Sequence, residues 1–429
     1  MTTMPTRRAE NAETDVMVLG AGIVGVSTAL HLQQRAQNVL LIDKARPGSG
    51  TSHGNAGLIE RASVIPYAMP HSPWALLRYA DNRQPDVRFQ WRALPQLAPW
   101  LWRYWRESAP ARLARAAQDM LPLIQRCVSE HAPLVQAAGL QSLIRQCGWM
   151  DVYRHPAAFA EAAATAQQLK NTHDLRADVL DIVALQRREP GLLPQAGMAG
   201  AIHWLDPWSV RSPGALVEGY AKLFQQRGGT LIQTDARALE PGERCWRLHT
   251  PTGTLHARHV VIALGPDTLD ISEALGYRLP LIHKRGYHLH FRPEAGQALP
   301  HVPLCDSQAG FVLSSMSDGV RLTTGVSLTL PDAPPDTAQL QQAESIARTF
   351  WPLGSPVEAE PWMGRRPCTP DMRPIIGPAT HHPRLWFNVG HAHHGLTLGP
   401  ATGRLLAEMI TGDGPFTNPA PYSPSRFNA

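Results

Sequence analysis

Cysteine is scarce: 429 residues contain five, Cys127, Cys147, Cys245, Cys305 and Cys368, an odd number, far apart and without a C-x-x-C pair. This excludes a disulfide framework and a zinc ribbon and fits free thiols in a reducing compartment, so a cytoplasmic location is expected. Long apolar runs are also missing, and none approaches the roughly 18 residues of a spanning helix. The net charge of +5 and pI near 9.1 are spread along the chain with no dense Lys/Arg run, so a nucleic-acid partner is not expected. Arg7-Arg8 is followed by no apolar stretch, and residues 1–14 read as a short disordered lead rather than an export signal. Repeats and low-complexity tracts are lacking too. What is present is an ordinary globular composition, 43% hydrophobic and 17% charged, on a chain long enough for two domains.

The most informative stretch runs from Asp15 to Leu58. Val16 to Leu19 is a short apolar run, as in a parallel strand buried on both faces. Gly20, Gly22 and Gly25 then spell G-x-G-x-x-G, Ile23 to Gln34 reads as a helix, and a second apolar run, Val39 to Ile42, ends on Asp43. Gly20 allows the tight turn, Gly22 lets backbone approach a pyrophosphate, and Gly25 lets helix and strand pack closely. Amides at the helix start, including Ile23 and Val24, would face the phosphates. Asp43, eighteen positions after Gly25, suits a ribose diol and would repel a 2′-phosphate, which argues against NADP. Lys44 to Leu58 is a small, polar loop able to lie flat against a planar ligand.

Further along, Trp74, Trp91, Trp100, Trp102 and Trp105 crowd with Arg78, Arg88, Arg92, Arg103 and Arg106. Two readings fit: a basic–aromatic face on an anionic membrane, or a helical layer with tryptophans in its core and arginines snorkelling. Interruption by Pro95 and Pro99 favours the second and leaves peripheral membrane contact, at the inner face, open. Helices are expected over 112–138, 156–169 and 213–226. Strands are expected over 230–233, 247–250 and 257–264, the last apolar up to Gly265 and so returning the chain to the parallel sheet. Strands over 279–291 and 310–324 suggest an antiparallel sheet in a second domain. A strand at 385–389 precedes Gly390-His391-Ala392-His393-His394-Gly395, and Thr397 or Gly399-Pro400 is expected to open a last helix, 401–410.

With the N-terminal unit, VVIALG, WMGRRPCTPDMRPIIG and GHAHHGLTLGPATGRLLAEMI together, the chain resembles the FAD-dependent D-amino-acid oxidase superfamily from Asp15 to its C-terminus, within it the bacterial D-amino-acid dehydrogenases. The resemblance implies an α/β fold: a Rossmann-like FAD-binding domain with a parallel sheet (15–71, 200–278 and 361–429), and an α+β substrate domain with a mixed or antiparallel sheet (72–199 and 279–360). It implies oxidative deamination of a D-amino acid, a hydride passing from Cα–H to flavin N5 to give an imino acid and then a 2-oxo acid. Alternatives are a secondary amino acid of hydroxyproline, sarcosine or opine type, or a non-catalytic FAD-binding subunit. The substrate partner is thus a small amino or imino acid; oxygen, a quinone or a partner flavoprotein all remain open as electron acceptor.

Residue by residue, the resemblance assigns Gly20, Gly22 and Gly25 to the pyrophosphate and Asp43 to the ribose, where the family more often has Glu. Thr51, Ser52, His53, Asn55, Ala56, Gly57 and Leu58 match the segment lining the isoalloxazine. The histidine that carries covalent FAD in some relatives aligns with Gly54, so non-covalent FAD is expected. His391, Gly395, Leu396 and Thr397 match the loop and helix start at the flavin N1–C2=O edge, where a positive helix end stabilises reduced flavin. Arg366, in G-x-R-P, matches the substrate-carboxylate arginine, with Arg365 as runner-up. Tyr287 resembles a substrate-side tyrosine, and His393 stands where relatives face the substrate. Ser327 stands where dehydrogenase relatives often carry glutamate. No metal is expected, because no acid or thiol accompanies the histidines in sequence.

Overall fold

The computed structural model describes residues 14–294 and 296–427. The expected lead lies outside them except for Thr14, which opens the first strand. Strand Thr14–Leu19 sits between Val39–Asp43 and Gly253–Ile262, parallel to both, and Thr230–Gln233 extends the sheet beyond Val39–Asp43. Strand Gly253–Ile262 has two further partners. Its first half pairs antiparallel with Trp246–Thr250, and its end pairs parallel with Leu385–Val389. The strand expected over 257–264 therefore starts earlier and stops at Ile262, and Gly265 turns the chain with φ 56°.

Helices Ile23–Gln33, Pro213–Gln226 and Gly395–Thr411 contribute to the core on one face of this sheet. The first and last pack very closely. A Cβ at Gly399 would lie 2.9 Å from Ile23 Cγ1, and one at Gly403 would lie 2.8 Å from Thr28 N. Glycine is what permits this approach. The pairing of 399 with 23 and of 403 with 28 also makes the two helices parallel, so both N-termini point the same way.

A second, eleven-stranded sheet is built around Ile282–Pro293, which pairs antiparallel with Gly319–Thr324, Val326–Leu328, Leu353–Pro356 and Trp362–Cys368. It is mixed, since Val87–Phe89 lies parallel to Val326–Leu328 and Leu304–Asp306 parallel to Trp149–Tyr153. The stretch expected over 310–324 is a hairpin, Phe311–Met316 and Gly319–Thr324. Two stretches assigned from sequence to the cofactor domain belong here instead: Gly200–Trp204, between Trp149–Tyr153 and Ala177–Asp181, and Trp362–Cys368. Both lie beside a change of domain, where apolar strand composition does not reveal which sheet is joined.

The Trp/Arg segment is the main departure from expectation. Leu94–Glu107 is one helix, with Pro95 in its first turn and Pro99 inside. Of the five tryptophans only Trp100 is buried, while Trp74, Trp91 and Trp102 stand out in solvent. The core of this layer is Trp100 and Tyr104, one turn apart, with the Lys284 ammonium over both rings.

Candidate functional site

The strand–helix turn has the form that an anion cradle requires. A Cβ at Gly25 would lie 1.8 Å from Gly20 O, so helix and turn are in backbone contact. At Gly22 the nearest atom would be Ser52 Oγ at 3.5 Å, which leaves open space where phosphate oxygens would come. Gly22 is also the N-cap and has no capping side chain, and no acid lies in the first turn. The positive end of this helix is therefore not neutralised by the protein. Ser52 Oγ accepts from Ile23 N at 3.1 Å, tying the following loop to the helix start. Asp43 accepts from Ala21 N at 2.7 Å and Ala45 N at 2.8 Å, leaving further lone pairs for a ligand hydroxyl. Lys44 is spoken for, since its ammonium lies 2.7 Å from Asp267.

The loop 51–58 is held chiefly from the eleven-stranded sheet. Thr51 donates to Arg365 O, and Ser314 Oγ donates to Ala56 O at 2.8 Å. Gly57 takes φ 76° and meets Val210 backbone closely. The strongest tether is Arg321, whose guanidinium donates to His53 O at 2.9 Å and Asn55 O at 2.6 Å and reaches His290 Nε2. Arg321 is buried in a strand with no exposed residue, and burial draws its pKa down to about 10. It is absent from the sequence assignments, although a single arginine in an apolar strand is itself a signal. Gly54 allows no side chain: a Cβ there would overlap the Trp362 ring at 1.7 Å. His53 packs beside His288 and Trp362.

Asn55 links this loop to the next, donating to His393 O at 3.4 Å. The last helix starts at Gly395, earlier than expected, with His394 as an N-cap that makes no side-chain cap and no acid in its first turn. Pro400 lies inside it and lacks the N–H that would bond Leu396 O. His131 Nε2 fills that gap, donating to Leu396 O at 2.8 Å. Thr397, in the first turn, donates to Leu58 O and accepts from Glu60 N. The His391 ring, on which the resemblance is silent, is buried against the helix with Nε2 on Thr402 Oγ1 at 3.0 Å, and burial pulls its pKa down to about 3. Its imidazole braces the helix.

Arg366 lies on the face of Trp362–Cys368 that also carries Gly364 and Trp362, opposite Lys284, Gly286 and His288 in register. Its guanidinium covers Gly286, where a Cβ would lie 2.4 Å away. It donates to Gly325 O at 2.6 Å and Thr324 O at 3.0 Å, and no carboxylate pairs with it among the described residues. Arg365 points to the other face and pairs with Asp267 at 3.0 Å. Tyr287 also occupies the other face: it is buried, and its hydroxyl accepts from Asp336 N at 3.0 Å. Strand alternation thus separates Tyr287 from Arg366 and corrects its placement at a substrate site.

His393 does join Arg366. Burial, then the charges of His394, Arg366 and Lys284, push its pKa far below the usual value, and its Nε2 is buried without a partner. Tyr67 stands edge-on to it at 4.7 Å. Tyr67 is 66% exposed, yet burial at its hydroxyl, then the field of Glu60, push the phenol well above its ordinary value. Its hydroxyl is thus shielded while most of its ring stays exposed beside His393. Sequence assignment missed Tyr67, whose only signal is its place between Pro66 and Pro70. It missed Glu60 as well. Glu60 accepts from Ser63 Oγ at 2.7 Å and lies 3.3 Å from His394 Nε2, and ligand atoms of Glu60, His393 and His394 fall within 4.8 Å of one another. The stated reason for expecting no metal, that no acid accompanies these histidines, is thereby corrected.

Two uncapped helix N-termini, parallel and on one side, with a flat loop between them and an unpaired arginine beyond, make an extended anion-accepting cradle. The DAO family of FAD dependent oxidoreductases matches residues 15–409. The chain belongs to that family. A D-amino acid dehydrogenase of Paramagnetospirillum magneticum is 30% identical over 411 residues, covering 92% of this chain and 95% of that one. A D-amino-acid oxidase of Bradyrhizobium diazoefficiens is 29% identical over 427 residues, covering 96% and 98%. Among solved structures, glycine oxidase from Geobacillus kaustophilus superposes with a TM-score of 0.72 at 21% identity, covering 96% and 98%, which speaks for the fold. The cofactor of this DAO-family oxidoreductase is FAD, and the open space at Gly22 and the two uncapped helix starts fit it. Gly20, Gly22, Gly25 and Asp43 would hold its ADP half, and Asn55 to Leu58 with Gly395 to Thr397 its ring. Among the described residues no helix is long and apolar enough to cross a membrane.

Proposed function

We propose that the protein oxidises a D-amino acid at its Cα–N bond, giving an imino acid that water converts to a 2-oxo acid and ammonia. One observation carries this reading: Arg366 is a half-buried cation with no acidic partner among the described residues, on the face that meets the cofactor loop. Two of its five N–H groups hold backbone carbonyls, and the others remain for a carboxylate. A planar guanidinium fixes both charge and orientation of that group. His393, kept neutral, presents a lone pair at Nε2 that can accept from the substrate amine. Tyr67 closes the outer side and excludes water from the Cα. Bound FAD supplies the two-electron acceptor; the chain supplies position and electrostatics. The whole-length relatives named D-amino acid dehydrogenase and D-amino-acid oxidase support the substrate class.

The test is anaerobic bleaching of the oxidised flavin band with D-amino acids, their L forms, glycine, proline derivatives and N-methyl amino acids. Bleaching by D-amino acids ahead of the rest is expected. Bleaching by an N-substituted acid instead would reassign the substrate, and bleaching by none would overturn the amino-acid reading. Re-oxidation by air or by a soluble quinone then identifies the acceptor.

A further inference from the structure

Nine large apolar side chains are markedly exposed among the described residues, and six of them fall between residues 65 and 102. Tyr67 stands against His393 of the candidate site, but Ile65, Trp74, Leu77, Trp91 and Trp102 remain, with Trp74 80% and Trp102 60% exposed. They lie on one connected strap. His71 stacks on Trp105, which stacks on Trp102. Asn82 and Phe89 close the intervening loop by two hydrogen bonds. Phe89 then meets Trp91 at the start of helix Leu94–Glu107. That helix has two apolar faces. Trp100 and Tyr104 are buried, whereas Pro95, Pro99 and Trp102, at spacings of four and three, share an exposed stripe with Arg106.

The polar residues around this face have one predominant sign. Arg78, Arg83, Arg92 and Arg103 are exposed, and none pairs with a carboxylate among the described residues. The acids nearby are occupied: Asp86 takes the Tyr79 hydroxyl, Glu107 pairs with Arg112, and Asp81 caps the turn at Arg83. Tryptophan beside unpaired arginine suits the headgroup boundary of an anionic bilayer, where rings enter the interface and guanidinium groups meet phosphate. A protein partner matched by hydrophobicity alone would not require this charge.

We propose that residues 65–106 form a monotopic docking face for anionic phospholipid. The strap borders the candidate site directly, because Tyr104 on its helix donates to the backbone of Tyr67, whose ring meets His393. Docking would therefore turn the candidate site towards the membrane. This goes beyond the reading of the substrate and does not depend on it. The test is co-sedimentation of the flavin-loaded protein with phosphatidylcholine vesicles, with and without one third phosphatidylglycerol. Sedimentation with the anionic vesicles only is expected, weakened by salt. Combined Trp74→Ser, Trp91→Ser and Trp102→Ser should lower the partition by about tenfold or more while flavin content and thermal midpoint stay unchanged. Arg92→Gln with Arg103→Gln should weaken it by about fivefold per site at low salt. Wild-type protein left in the supernatant with anionic vesicles, or a triple variant that sediments equally, would overturn the proposal. So would a dimer that the tryptophan changes convert to monomer, which would assign the face to a second copy.

Discussion

At the scale of single residues, the site depends on which face of a strand each side chain takes. Arg366 and Arg365 are neighbours in sequence, yet one covers Gly286 and the other pairs with Asp267. Arg366→Ala should raise KM for a D-amino acid by about 10- to 100-fold, as for a net loss of about 1.5–3 kcal/mol of charged hydrogen bonding, with flavin absorbance retained. Arg365→Ala should leave KM within about threefold, as for a partly exposed ion pair. Steady-state kinetics on both decide the point, and equal effects would reject the assignment. Tyr67→Ala should open the site and lower kcat/KM more than Tyr67→Phe, which keeps the ring against His393; equal loss in both would place the role in the hydroxyl. Arg366 was singled out from a motif that is local in sequence, and its contact with substrate is what the kinetics test. Tyr67 and Glu60 were not singled out, since what makes them part of the site is contact with His393 and His394, more than three hundred positions away. Tyr287 was misread because a motif does not reveal strand phase.

At the scale of elements, two helices define the cradle and their packing fixes it. Gly403→Ala would put a methyl group 2.8 Å from Thr28 N, against backbone that cannot yield as a flexible side chain could. An overpacking cost of about 1–3 kcal/mol follows. Because the same contact aligns both helix starts, FAD affinity should fall along with stability. Flavin fluorescence released on a thermal ramp reads both, and a variant with unchanged release would show the contact to be slack. The nucleotide unit was the most legible element, its helix and second strand lying within a residue of expectation. The last helix was misplaced at its start because Pro400 suggested a boundary. The structure accommodates Pro400 by giving the freed Leu396 carbonyl to His131, a residue no local pattern could supply.

At the scale of the whole molecule, chain order fixed the two sheets but not every strand's membership. Strand periodicity reports which face is apolar and says little about which sheet a strand joins, so Gly200–Trp204 and Trp362–Cys368 could be placed only by their registers. What joins the molecule around the cradle is a set of imidazoles seated on the last helix. His131 meets Leu396, His391 meets Thr402, and His31 approaches the backbone of Pro400. Burial lowers their pKa values to about 4, 3 and 3 respectively, so all are neutral in the folded protein. Unfolded histidine titrates near 6.5, hence the unfolded chain binds more protons below that pH, and stability falls as pH drops from 6.5 towards 4. Above 6.5 these groups contribute no pH dependence. Glu189 and Asp151, raised by burial to about 7 and about 6, act with the opposite sign over much of the same range and mask part of the effect. A difference measurement isolates it. The stability of wild type minus that of His131→Gln should be flat above pH 6.5 and decline by up to about 1.4 kcal/mol per pH unit between 6.5 and 4. Urea midpoints of flavin release across that range supply the measurement. A difference independent of pH would mean that His131 titrates in the fold as it does in the unfolded chain, and below pH 6.5 the hydrogen bond that covers Pro400 would then have to be made by an imidazolium.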